Sequence, residues 1–139
     1  MKYFICNLEM INNNTTGYLG IPAEKTERII SVNRVQTVVY ETENQDTFIS
    51  LPVLFQLKDR TTVHGLVLKP EAACGCGCGP VKTILITPRI NTEIEIPQEN
   101  IHRLPESMTE MLVFFTGVCF DDKNMILILD PEKLPKGTV

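Results

Sequence analysis

No run of lysines and arginines occurs anywhere in the sequence, whose thirteen Lys and Arg stand against seventeen Asp and Glu for a formal charge of -4. A phosphate backbone is bound by clustered cations that displace its counterions, so the missing basic stripe argues against nucleic acid as a partner. Long apolar runs are missing too. The first residues offer one Lys and then only Tyr3 to Cys6 as consecutive apolar positions, too short for a signal-peptide core and far short of a membrane span. A cytoplasmic protein without membrane insertion is expected. No Gly-rich phosphate loop appears, and no Ser, Cys or carboxylate is placed beside His64 or His102 as a nucleophile and base would be. The cysteines number five. An odd count, with Cys74, Cys76 and Cys78 in one short stretch, is no disulfide framework and fits a reducing compartment.

What is present is an ordinary globular composition. The 139 residues, 43% apolar and 22% charged, suffice for one compact domain at roughly 100–200 residues per domain. Tyr3 to Leu8 and Tyr18 to Ile21 flank the Asn12 to Gly17 turn cluster and read as a hairpin. Pro22 suits a first helical position, and Ala23 to Ile30 predicts a helix of about two turns. Extended segments are expected over Val35–Tyr40, Thr47–Leu51, Val63–Leu68, Val81–Thr87, Ile90–Ile96, Met111–Phe120 and Met125–Leu129, with Val53–Leu57 as a helical turn over the core. Asp121 to Asn124 should join the last two strands. About nine short strands and one clear helix make the chain mainly β, an antiparallel barrel or sandwich rather than a parallel βαβ fold.

Three side-chain groups could carry chemistry. In an extended segment residues two apart face the same way. Cys74, Cys76 and Cys78 could therefore converge on a soft ion such as Cu(I) or Zn(II), the glycines between them letting the backbone wrap it. This makes them the candidate metal ligands and makes a thiolate metal-binding or redox protein the alternative function. The plainer reading is an ordinary loop, since structural zinc sites use four ligands at wider spacing. Cys6 and Cys119 fall in strands and read as small buried hydrophobes. Glu93 and Glu95 alternate with Ile94 and Ile96, the pattern of a solvated strand face rather than a catalytic carboxylate pair.

Asn124 to Leu134 is the most distinctive run: an apolar strand, an Asp able to cap, and a Pro that opens a short helix. Its Leu129-Asp130-Pro131-Glu132-Lys133-Leu134 ending resembles the carboxy-terminal signature of CheW-like domains, the adaptor modules of bacterial chemotaxis. Tyr3 to Leu8, Tyr18 to Pro22 and Ala23 to Ile30 resemble that family's opening hairpin, strand end and first helix. Ile101 to Pro105 and Thr116-Gly117-Val118 resemble later elements. The family's Gly-x-x-Asn-Leu-Arg-Gly segment is absent, with Glu41 to Ser50 in its place, so receptor-contact residues are not carried over. The resemblance implies two small, interlocked β-barrel (SH3-like) subdomains with one or two short helices in a single domain over 1–139, with residues 71–80 as a Cys/Gly-rich loop insertion. It also implies a noncatalytic adaptor without a cofactor, whose partners are the regulatory domain of a CheA-type histidine kinase and a chemoreceptor's cytoplasmic tip.

Overall fold

The computed structural model describes residues 1–11, 16–33, 35–42, 46–58, 63–69, 82–104, 113–121 and 124–134. Ten strands run through them: β1 (Lys2–Glu9), β2 (Thr16–Pro22), β3 (Thr26–Ile30), β4 (Val39–Glu41), β5 (Thr47–Ser50), β6 (Val63–Leu68), β7 (Thr83–Pro88), β8 (Ile90–Glu95), β9 (Phe115–Asp121) and β10 (Asn124–Leu129). They form two five-stranded sheets, ordered β8-β1-β2-β10-β9 and β3-β6-β7-β5-β4. The two barrel-like halves expected from the resemblance correspond to these sheets. The first is built from both ends of the chain with the second inserted between β2 and β8, and this chain order interlocks them.

Nine of the strands stand where the sequence pattern places them. The tenth, β3, is a correction. A helix was expected over Ala23–Ile30, but the chain makes only a 3-10 turn at Ala23–Lys25 and then extends. Thr26 closes the turn by donating its hydroxyl to the Ala23 carbonyl at 2.7 Å. Beyond it, Ile29 and Ile30 pair with Leu66 and Gly65 of β6. Branching at Cβ disfavours the helix slightly, and the ladder to β6 decides the outcome. The expected strand over Val35–Tyr40 shrinks to β4, and that over Met111–Phe120 begins at Phe115. The helical turn starts at Leu51, earlier than expected, as α1 (Leu51–Leu54). Ser50 caps it, its hydroxyl oxygen accepting from the Val53 N–H at 3.4 Å. Phe55 and Leu57 lie buried just beyond.

Most pairings are antiparallel, but β2–β10 and β5–β7 are parallel. Neither pair requires a βαβ unit, because other strands make the connection. In the first sheet β10 is parallel to β2, which a hairpin with a neighbouring strand cannot bring about, so it is invisible in local sequence.

Burial on both faces explains the uninterrupted apolar runs. Leu127 and Leu129 of β10 enter a core shared by the two sheets, together with Leu8 and Leu19 from the first sheet and Leu66 and Leu85 from the second. Ile126 and Ile128 point to the opposite side, where they pack with Tyr3, Ile5 and Ile96. A strand that buries both faces reads as a continuous hydrophobic run rather than an alternation. The sheets are also tied through polar groups. At the β7–β8 crossover the Ile90 N–H donates to His64 Nδ1 at 3.1 Å, which joins β8 to β6, while within β7 the fully buried Thr87 hydroxyl donates to the Pro88 carbonyl at 2.9 Å. At the far end of β1, Met10 bridges Leu57 and the Lys58 N–H donates to the Glu9 carbonyl at 2.9 Å.

The Leu129-to-Leu134 ending performs a structural task. Asp130 accepts from the Glu132 N–H at 3.1 Å and starts the Pro131–Lys133 3-10 turn, while Leu134 returns into the shared core. Leu129 is fully buried, whereas Ile29 is half exposed. Leu129→Ala should therefore cost about 2–5 kcal/mol in urea unfolding. Ile29→Ala, which opens no cavity, should cost less than about 1 kcal/mol.

Candidate protein-docking surfaces

The inner face of the first sheet changes character along β1. Tyr3 and Ile5 are sealed, but Asn7 and Glu9, on the same face, are exposed. Ile96 and Ile101 cover the sealed end. At the open end two contiguous clefts, of about 430 and 310 Å³, share Asn7, Tyr18 and Asn124 as walls. The Asn91 side-chain amide donates to Asn7 Oδ1 at 2.8 Å across the β8–β1 step. Ile5, Ile94 and Ile126 also line the second cleft.

A second surface is the β9 edge. Its neighbour on one side is β10; on the other, among the described residues, the segment after β8 bridges one position, with the His102 N–H donating to Val118 at 2.7 Å and the Val118 N–H returning to His102 at 2.9 Å. The approach is so close that a Cβ on Gly117 would lie 2.7 Å from the His102 carbonyl oxygen. Two residues on, Phe120 is 61% exposed and lies beside the His102 ring at a centroid distance of 6.5 Å. Tyr40, on the β4 edge of the other sheet, is half exposed with its ring against Phe48. Large apolar side chains at strand edges, rimmed by polar groups, are suited to contact with another protein.

No family model and no curated protein matches the sequence. Among solved structures the chain is similar to the crystal structure of the scaffolding protein TtCheW from Thermoanaerobacter tengcongensis, with a TM-score of 0.63 and 15% identity, over 92% of this chain and 82% of that one. The fold is CheW-like. The apolar strand, Asp cap and buried Pro131 and Leu134 that close the chain give the Leu129-to-Leu134 resemblance a physical basis within that fold. In the same way, the clearance at Gly117 explains a glycine before Val118.

The sequence-predicted residues that the structure describes are dispersed. Cys74, Cys76 and Cys78, with the rest of the 71–80 segment, lie outside the described residues. Among the described residues no three His, Cys, Asp or Glu side chains are grouped to hold a metal ion, and no helix is long and apolar enough to cross a membrane. His64 and His102 sit apart, one at the sheet crossover and one at the β9 edge. Glu93 lies on the solvated face as expected, within 3.8 Å of Lys2. The amide-lined cleft and the exposed Phe120 were not foreseen. Asn7, Asn91 and Asn124 are far apart in sequence, and Phe120 sits in a strand that reads as buried throughout.

Cys6 and Cys119 are buried and free, as expected of small hydrophobes. Cys6 is fully enclosed in the shared core, and burial pushes its thiol from 9.0 up to about 12 although a hydrogen bond with Thr87 pulls the other way. Burial also raises the Cys119 thiol, with Asp121 adding to the shift. The native state thus keeps the Cys6 proton that the unfolded chain releases near pH 9, so its contribution to stability is complete below pH 9 and is lost between about pH 9 and 12. Urea unfolding should show stability falling across that window, and Cys6→Ala should remove up to about 1.4 kcal/mol per pH unit of the slope. An identical slope in both proteins would refute it.

Proposed function

We propose that this chain is a noncatalytic adaptor of chemotaxis-type signalling, a cytoplasmic module that holds the regulatory domain of a CheA-type histidine kinase and a chemoreceptor's cytoplasmic tip in register. The observation that carries the reading is the CheW-like fold, matched over 92% of the chain to a scaffolding protein. The Leu129-to-Leu134 ending supports it independently from sequence. An adaptor needs surface rather than a reaction centre, and the exposed Phe120 and Tyr40 supply apolar anchors on different sheets. Two sheets locked through one core suit this task, because a partner held on one is placed at a fixed angle to a partner held on the other. Aromatic anchors at the centre of an interface carry most of its binding energy.

The test is calorimetric titration with the kinase regulatory domain of the same organism. Saturable binding is expected, and Phe120→Ala should weaken it by about tenfold or more, the cost of one aromatic anchor. The thermal midpoint should stay unchanged, since the side chain leaves no cavity. No heat of binding up to high micromolar concentration would remove the kinase as a partner.

A further inference from the structure

We infer that the open end of the first sheet is a receptor cleft for a short, extended peptide segment carrying lysine or arginine. Four adjacent strands, in the order β8-β1-β2-β10, each place a neutral polar side chain at this end: Asn91, Asn7, Tyr18 and Asn124. Asn7 and Tyr18 are register partners, whereas Tyr18 faces Ile126 on β10 and Asn124 stands two residues further along, so three strand steps of about 4.8 Å run obliquely over roughly 16 Å, the length of about five extended residues at about 3.4 Å each. A side-chain amide carries both a donor and an acceptor, as does every peptide unit. Each member can therefore donate to or accept from a peptide backbone laid across it, and the Asn91–Asn7 hydrogen bond holds the first two in place.

The lining charges choose the ligand. Among the described residues, the charged ones that line the two clefts are Glu9 and Asp121, one in each, and no described Lys or Arg lines either. Complementary charge favours a cation and rejects an anionic ligand. The isoleucines beneath the row give the stem of a long basic side chain an apolar surface to lie on. The cleft and the Phe120 edge are separate features, and this inference does not rest on the kinase reading.

Nuclear magnetic resonance titration of the whole protein tests it, with acetyl-Lys-Gly-Ser-Gly-Lys-amide as the probe and its Glu-for-Lys counterpart and maltose as comparisons. The basic peptide should shift the amide signals of Asn7, Tyr18, Asn91 and Asn124 saturably, while the acidic peptide and maltose should not. Asp121→Asn should weaken the basic peptide about two- to fivefold, as expected for one exposed charge pair. Thr92→Lys, which brings a cation to the wall, should weaken it further. Both positions are exposed, so the thermal midpoint verifies that the variants fold. Absence of saturable shifts up to about 5 mM, a dissociation constant equivalent to roughly -3 kcal/mol, would overturn the inference. So would equal binding of the acidic peptide, shifts confined to another face, or saturation by maltose alone.

Discussion

Burial on both faces of β10, and of β1 over Tyr3 to Cys6, is the constraint from which the rest of the structure follows. Leu127 and Leu129 face the shared core while Ile126 and Ile128 face the interior of their own sheet. A strand that is apolar on both sides must be covered on both sides, because leaving one large aliphatic side chain in water costs about 1.5–3 kcal/mol. One cover is the other sheet. The second is the first sheet's own far end, where Ile96 and Ile101 close over Tyr3 and Ile5. The chain order supplies both, since β1 and β2 come from its start, β8 to β10 from its end, and the second sheet from between.

This arrangement couples the two sheets more tightly than two consecutive modules would be. Pulling them apart would expose Cys6, Leu8, Leu19, Leu66 and Leu85 together, and it would break the Ile90-to-His64 hydrogen bond at the crossover. Cys6 is fully enclosed in that shared region, and burial there drives its thiol up to about 12. A rigid relation between the sheets is the property the proposed adaptor role would use, because orientation is what such a module would pass from one partner to the other.

Legibility in the sequence follows the range of the interactions. The β1–β2 and β9–β10 hairpins and the capped ending at Asp130 are set by neighbouring residues, and the sequence pattern places them; the α1 turn is legible as a turn, though it begins two residues before the expected Val53. The helix expected at Ala23–Ile30 fails because β6, some forty residues away, offers Ile29 and Ile30 a ladder that outweighs local preference. The parallel β2–β10 pair is equally remote. Of the candidate surfaces almost nothing could be read. Phe120 follows a buried Cys119 in a strand of apolar residues, and only the position of β9 at the sheet edge leaves it open. The cleft is a gathering of three asparagines and a tyrosine from four strands, whose local contexts are ordinary turns and strand ends.

The edges of the sheets show what is being left available. An unpaired strand edge invites unwanted pairing, and proteins guard it with charge or cover. The β8 edge carries Glu93 and Glu95, with Lys2 beside Glu93, so another strand would have to displace solvated charge to add there. At β9 the guard is different. The chain lays His102 against Val118 and relies on Gly117 to let it approach, which blocks the middle of the edge and leaves Phe120 just past the block. A fully covered edge would bury that ring, and a fully open one would let strands add without selectivity. Partial cover of this kind leaves side-chain contact around Phe120 more accessible than backbone pairing, so a protein docking there, as proposed above, would be selected by shape and chemistry rather than by pairing that any extended chain could supply.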